Sequence, residues 1–346
     1  MKIAPASPRF LPALVLATLV LAFAPAVFAG YTAGQKISLP GDSSWDYLAA
    51  ESGARRLYVT HGDRVQVLNL DTFAVVGEIA PLAGVHGVAV APELGRGFIS
   101  NGKNSTLTVF DLKTLAVLGT WPAGGKKPDA ILYDAATKRV CSFNGGSDNA
   151  TVFDAATGQL AGTIALGGGP EFAAADGTGQ VFVNIEDNDE TVRFDARSLA
   201  VTAHWPLGSA HGPSALAFDA AHRRLFIGCR SQHLVVLNAD TGAVVASLPI
   251  GKGVDAVSYF AAKGLVFASN GDGTLNIFHQ TDADHYTAVE TVTTAPGART
   301  HAVDSSTGRV FLASAHYGPP PQPAPGQART RAPIEPGSFR VLVFQP

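Results

Sequence analysis

The stretch that decides the fold is Gly212–Gly251, GPSALAFDAAHRRLFIGCRSQHLVVLNADTGAVVASLPIG. It contains four short apolar runs rich in β-branched and aromatic residues, and turns with Asp, Asn, Ser or Gly separate them. The runs are Ala215–Phe218, Leu225–Cys229, Leu234–Asn238 and Ala243–Leu248. This pattern is typical of four antiparallel strands joined by tight turns.

The same four-run unit recurs along the chain, and its third run is the easiest one to recognise. That run carries a polar residue near its end, and the seven markers are Asn69, Asp111, Asp154, Asp195, Asn238, His279 and Gln345. The first six markers lie 41 to 43 residues apart, which is the period of a four-stranded propeller blade. Seven units predict an all-β fold, a seven-bladed β-propeller.

The last unit lacks a fourth run, because the chain ends soon after the third one. Near the other end, QKISLPGDSSWDYLAA (35–50) matches VASLPIGKGVDAVSYF (245–260). We therefore expect Gln35–Leu39 to supply the missing strand, so that blade seven combines both chain ends and leaves no free sheet edge. The propeller is expected to span residues 30–346, with a Pro-rich insertion at 318–338 in blade seven.

Residues 1–29 have the pattern of an export signal. Lys2 and Arg9 precede an apolar run, Phe10–Phe28, and the small residue Ala29 stands before Gly30. We predict cleavage after Ala29 and a mature protein that is periplasmic or secreted, without stable membrane association. The alternative is an uncleaved membrane anchor, since the run is nearly long enough to span a bilayer.

The composition fits a large globular domain, with 46% hydrophobic and 15% charged residues and a net charge of −3. A nearly neutral chain argues against the strongly basic surface of a typical nucleic-acid-binding protein. The two cysteines, Cys141 and Cys229, fall in units that are not neighbours, which favours buried free thiols over a disulfide or metal pair. The motifs G-x-S-x-G, H-E-x-x-H and C-x-x-C-H do not occur, so no catalytic residue is assigned.

The repeats RLYVTHGDRVQVLNLDTFAVVGEI (56–79) and RLFIGCRSQHLVVLNADTGAVVASLPIG (224–251) resemble the YVTN repeat. An export signal followed by seven such repeats is similar to the YncE-like family of exported seven-bladed β-propellers, over about residues 31–346. The match is imperfect, because Tyr58-Val59-Thr60 is followed by His61 where the motif has Asn. The resemblance implies a binding protein, and single-stranded DNA is the ligand that it suggests.

In a propeller the first strand of each blade lines the central channel, and all first strands start on the same face. Aligning these starts gives one polar residue per blade, and six of the seven can ionise or bind a metal. These ring residues, the candidate ligand-binding site, are Asp46, His86, Asp129, Glu171, Ser214, Asp255 and His301. The alternative is a solvated channel mouth that binds no ligand.

Blades seven, one and two are consecutive in a closed ring, so His301, Asp46 and His86 are expected to be neighbours. Two imidazoles and a carboxylate suit a divalent metal ion such as zinc, copper or iron. His61 and His316, near the ends of second strands, are expected on the same face. These five residues form the predicted metal site.

Together these features predict a monomeric, exported binding or scaffold protein that takes an unidentified protein or small-molecule ligand through the face around the channel. Two alternatives stay open: a metal-dependent lyase or oxidoreductase at the channel mouth, and a protein that binds single-stranded DNA. The Pro-rich insertion is expected on the same face. It could act as a lid over the mouth, present Arg329 and Arg331 to an anionic partner, or be a simple surface loop.

Overall fold

A computed structural model describes residues 1, 2, 4, 30–321 and 332–346. In them the chain forms seven four-stranded antiparallel sheets arranged as a seven-bladed β-propeller. The predicted all-β fold and the number of blades are therefore confirmed. Most of the predicted export signal and the centre of the Pro-rich insertion lie outside the described residues.

Each blade is a meander whose first strand is innermost and whose fourth strand is outermost. The first strands are Trp45–Glu51, Val85–Ala91, Pro128–Asp134, Pro170–Ala175, Pro213–Asp219, Val254–Phe260 and His301–Val303. The second strands are Arg56–His61, Arg96–Asn101, Arg139–Asn144, Gln180–Ile185, Arg224–Cys229, Leu265–Asn270 and Val310–Ser314. The third strands are Arg64–Asn69, Thr106–Asp111, Asn149–Asp154, Glu190–Asp195, His233–Asn238, Thr274–Gln280 and Arg340–Gln345. The fourth strands are Val75–Ile79, Val117–Pro122, Leu160–Ala165, Val201–Pro206, Val244–Pro249, Tyr286–Thr293 and, for blade seven, Thr32–Ser38.

The ring is closed by contacts and by strand pairing. First strands of neighbouring blades contact one another around the whole ring, including those of blades seven and one. In blade seven, Thr32–Ser38 pairs antiparallel with Arg340–Gln345. The predicted N-terminal closing strand is thus confirmed, although it starts at Thr32 and Leu39 follows it as a buried residue.

The hydrophobic core lies between the blades. Successive side chains of the second and third strands point to opposite faces of each sheet, so they are buried against the neighbouring blade on either side. The aromatic residues of the second strands are fully buried there, among them Phe98, Phe182, Phe226 and Phe311. Cys141 and Cys229 are buried free thiols, as predicted from their positions in separate blades.

Three single-turn 3-10 helices, Pro92–Leu94, Glu186–Asn188 and Ala261–Lys263, lie in the turns between strands. Over the residues described here, no helix has the length and apolar character that crossing a membrane requires.

Candidate functional site at the channel mouth

The register of the first strands places one polar side chain per blade at the mouth of the channel. In blades one to six this ring residue is the second residue of the first strand, and the six are Asp46, His86, Asp129, Glu171, Ser214 and Asp255. In these six blades, the residues selected by aligning the strand starts therefore lie at the same depth in the channel.

Blade seven differs, and the placement of His301 in the ring is wrong. His301 pairs with Leu312, as Ile131 of blade three pairs with Ser142. Leu312 and Ser142 are equivalent, since each lies three residues after the arginine that precedes or starts its second strand. His301 thus lies two residues below the level of the ring, and Arg299 takes the ring position of blade seven.

His301 makes its contacts with blade six instead of the channel mouth. It is buried, its Nε2 lies 2.7 Å from the Oγ of Ser258, and its Nδ1 lies 2.7 Å from the Oγ of Ser269. Burial lowers the pKa of His301 to about 3, so the imidazole is neutral. Because both ring nitrogens are engaged by serine hydroxyls, this side chain has a structural role.

His61 and His316, the other two histidines of the predicted metal site, also contact residues outside the ring. The buried ring of His61 stacks on Phe339 with 4.0 Å between centroids, and burial lowers its pKa. His316 is exposed, and its Nε2 lies 2.6 Å from the guanidinium of Arg340. The five residues predicted as one metal site are therefore not brought together.

The structure does bring together Asp46, His86 and Asp129, which we call the Asp–His–Asp cluster. The Nδ1 of His86 lies 2.6 Å from the Oδ2 of Asp46 and 3.6 Å from the Oδ1 of Asp129. One potential ligand atom from each residue lies within 4.8 Å of the other two. Burial alone lowers the pKa of His86, but the hydrogen bond with Asp46 and the charge of Asp129 outweigh it and raise that pKa.

Asp129 is the member of this cluster whose ionised form is least stable. Burial raises the pKa of Asp129 to about 6, and the charge of Asp46 adds to the effect while His86 opposes it. Within the described chain, its Oδ1 is buried and accepts no hydrogen bond. A buried carboxylate oxygen without a hydrogen-bond donor is costly, so Oδ1 depends on the imidazole of His86, 3.6 Å away, for electrostatic stabilisation.

Glu171 forms a carboxyl pair with Glu186 on the far side of the ring. Burial raises the pKa of Glu171 to about 10, and the hydrogen bond with Glu186 adds to the shift. Glu186 in turn forms an ion pair with Arg230. Glu171 is therefore protonated near neutral pH and can donate a hydrogen bond to Glu186.

The remaining two ring residues are satisfied by their neighbours. Burial raises the pKa of Asp255, and Arg299, whose Nε lies 2.5 Å from its Oδ2, opposes that shift. Ser214 is buried and donates its hydroxyl to the carbonyl of Val254 at 2.8 Å. Asp255 and Ser214 are therefore already paired within the protein.

An aromatic floor closes the channel below the ring. Tyr47 of blade one meets Phe172 of blade four in a T-shaped contact, with 5.0 Å between ring centroids. Since these blades are not neighbours, the two rings meet across the channel. Burial, followed by the charges of the surrounding carboxylates, with Asp129 first among them, raises the pKa of Tyr47. The channel mouth is thus a cavity that ionisable side chains line and that the two aromatic rings close from below.

One of two clefts beside the Asp–His–Asp cluster has a volume of about 610 Å³. Its walls include His86, Lys103 and Arg299, together with Tyr317, which directly precedes the insertion, and Ile334 within it. Tyr317 and Ile334 form an antiparallel bridge at the base of the insertion. The insertion therefore contributes to the channel-mouth face, as its position between the second and third strands of blade seven predicts.

The second cleft, which we call the lysine cleft, has a volume of about 830 Å³ and also borders His86. Lys103 comes from the turn between the second and third strands of blade two, and Lys126 and Lys127 precede the first strand of blade three. All three are exposed. Among the described residues none of the three forms a salt bridge; the ion pairs of this face involve Arg, His and carboxylates.

Sequence analysis missed Arg299 and Lys103. A signal for Arg299 was present, since Asp129 lies ten residues before Arg139 and Arg299 lies ten residues before Arg309. Aligning on the start of each first strand instead selected His301. Lys103 stands in an ordinary polar turn, and only the fold shows that it faces the lysines of the next blade.

Comparison with known proteins supports the fold. No protein-family model matches the chain, and no curated protein is similar to it in sequence. Among solved structures, it is similar to one described as the crystal structure of a mitotic checkpoint complex. The TM-score is 0.75 at 15% sequence identity, over 98% of this chain and 99% of that chain. At this identity the likeness shows the β-propeller fold alone.

Proposed function

We propose that this chain is a binding protein that captures a small anionic ligand at the mouth of its propeller channel. The observation that carries the proposal is the lysine cleft, where Lys103, Lys126 and Lys127 converge without salt bridges in the described part of the chain. Unpaired ammonium groups around a concave surface attract phosphate or carboxylate groups.

The size of the lysine cleft favours a small molecule. Its volume of about 830 Å³ falls in the range of about 300–1,000 Å³ that is usual for small-ligand sites. His86 and Lys103 also border the neighbouring cleft of about 610 Å³, so a ligand can extend from the lysines toward Trp45 and Tyr317. The aromatic side chains would then contact its less polar part.

The proposal includes export and membership of the YncE-like type. Export is supported by the apolar run Phe10–Phe28 after Lys2 and Arg9, with Ala29 before the propeller. The YncE-like assignment is supported by the YVTN-like repeats and by seven blades closed by the N-terminal strand. On this basis the mature protein is a periplasmic or secreted monomer that starts at Gly30.

Calorimetric titration of the untagged chain from residue 30 with inorganic pyrophosphate tests this function. We expect saturable binding, and at least a tenfold loss of affinity in the triple variant Lys103→Ala/Lys126→Ala/Lys127→Ala, because each lysine supplies a charge-assisted hydrogen bond. The matched control removes three exposed lysines from the opposite face, Lys113, Lys138 and Lys263, and should bind as tightly as the wild type.

A single-stranded oligothymidylate is titrated in parallel, because the same lysines would attract a DNA backbone. Binding of the oligonucleotide without binding of pyrophosphate would show that a nucleic acid, and not a small anion, is the ligand. Equal pyrophosphate binding by the two triple variants would place the anion outside the lysine cleft and refute the proposal.

A further inference from the structure

The Asp–His–Asp cluster contains the donor set of a metal site with an open side. It offers one imidazole nitrogen and two carboxylate oxygens, from Asp46, His86 and Asp129, all within 4.8 Å of one another. Three protein ligands with a free position facing solvent are typical of sites where a metal also holds an exogenous group. Here the free side faces the two clefts, which both border His86.

The distances fit a zinc ion with a small adjustment. Zinc–nitrogen and zinc–oxygen bonds of about 2.0–2.2 Å place tetrahedral ligand atoms about 3.3 Å apart. The His86 Nδ1 to Asp129 Oδ1 distance of 3.6 Å is close to this value, and the Nδ1 to Asp46 Oδ2 distance of 2.6 Å must open. Side-chain rotation at the exposed mouth allows this change, since His86 and Asp46 side chains are partly exposed.

The buried Oδ1 of Asp129 is the independent observation that points to a cation. This oxygen has no hydrogen-bond donor among the residues the structure describes. The channel mouth around it carries three more carboxyl groups, those of Asp46, Glu171 and Asp255. Arg299 is the arginine at the ring position of blade seven, and its guanidinium forms an ion pair with Asp255. The imidazole of His86 lies 3.6 Å from this oxygen without donating a hydrogen bond to it. A divalent ion held between these groups would neutralise Asp46 and Asp129 together.

We propose that Asp46, His86 and Asp129 bind one divalent transition-metal ion, with zinc as the preferred ion, and that the open coordination position faces the clefts. An imidazole favours zinc over calcium or magnesium, which prefer all-oxygen sites with more ligands. The metal site goes beyond the proposed function and does not depend on it, because zinc binding requires no lysine. If both hold, an anionic ligand anchored by the lysines can place one oxygen on the ion.

Titration of the EDTA-treated chain with Zn²⁺ alone, followed by calorimetry and elemental analysis, tests the site. We expect one equivalent of zinc, and a loss of affinity of about 100-fold in His86→Gln or Asp129→Asn, since each replaces one of the three ligands by a neutral amide, which is a poorer ligand for zinc. Magnesium in equal concentration should not compete. Thermal unfolding of the metal-free variants verifies that they are folded, and the two single substitutions provide independent tests.

The matched control is His211→Gln, which disrupts another His–Asp pair on the same face. His211 Nδ1 lies 2.7 Å from Asp189 Oδ2, but the described structure shows no second carboxylate completing that pair into a cluster. Zinc affinity should be unchanged in this variant. Absence of saturable zinc binding, or a loss in His211→Gln equal to that in His86→Gln, would overturn the proposal. Pyrophosphate binding to the metal-free protein is measured separately, so failure of the metal site leaves the test of the lysine cleft intact.

Discussion

Replacing Tyr47 by alanine tests whether an aromatic floor really fills the channel. The Tyr47 side chain is only 8% exposed and makes a T-shaped contact with Phe172. An aromatic side chain buries about 150–250 Å², which at about 25 cal/mol per Å² corresponds to about 4–6 kcal/mol. After allowance for the alanine that remains, the free energy of unfolding should fall by about 4 kcal/mol, within the usual range for such truncations.

Urea denaturation followed by circular dichroism measures this loss. For a domain of this size it corresponds to a decrease in Tm of about 6 °C. Tyr47→Phe is the matched control, because it keeps the ring and removes only the hydroxyl; its cost should stay below about 1.5 kcal/mol. A Tyr47→Ala protein within about 1 kcal/mol of the wild type would refute the packed floor.

Two further predictions concern blade closure and pH. Arg55 pairs with the buried Asp304 of blade seven, so Arg55→Ala should lower the free energy of unfolding by about 2 kcal/mol in urea titrations, allowing for the partial exposure of Arg55; a loss below about 0.5 kcal/mol would contradict this role. The pKa of Glu171 is raised from 4.5 to about 10, so the stability linked to its protonation is complete below pH 4.5 and lost as pH rises toward 10. Glu171→Gln should therefore flatten the decline of Tm between pH 5 and 9, and an unchanged slope would show that Glu171 ionises freely.

The fold could be predicted because each blade repeats the same local chemistry. Strand runs, turn residues and the 41 to 43 residue spacing of the markers are short-range signals that do not depend on tertiary structure. The same repetition made the ring residues of six blades predictable, since equivalent positions in successive first strands lie at the same depth in the channel. Asp46, His86 and Asp129 are examples.

The site itself depends on features that no repeat encodes. The first strand of blade seven has only three residues, His301–Val303, so its apparent start misled the alignment by two positions. The direction of a side chain was also not predictable: His301 turns toward Ser258 and Ser269, whereas Tyr47 crosses the channel to blade four. These choices depend on packing among residues far apart in sequence.

The position of a bound oxyanion tests the central claim, that the channel mouth is a ligand site, most directly. Crystals of the chain from residue 30 soaked with tungstate, a phosphate-like anion with strong anomalous scattering, would locate it. We expect the main anomalous peak in the lysine cleft, within hydrogen-bond distance of at least two of Lys103, Lys126 and Lys127. A main peak on the opposite face, or a lysine cleft empty at saturating tungstate, would contradict the claim.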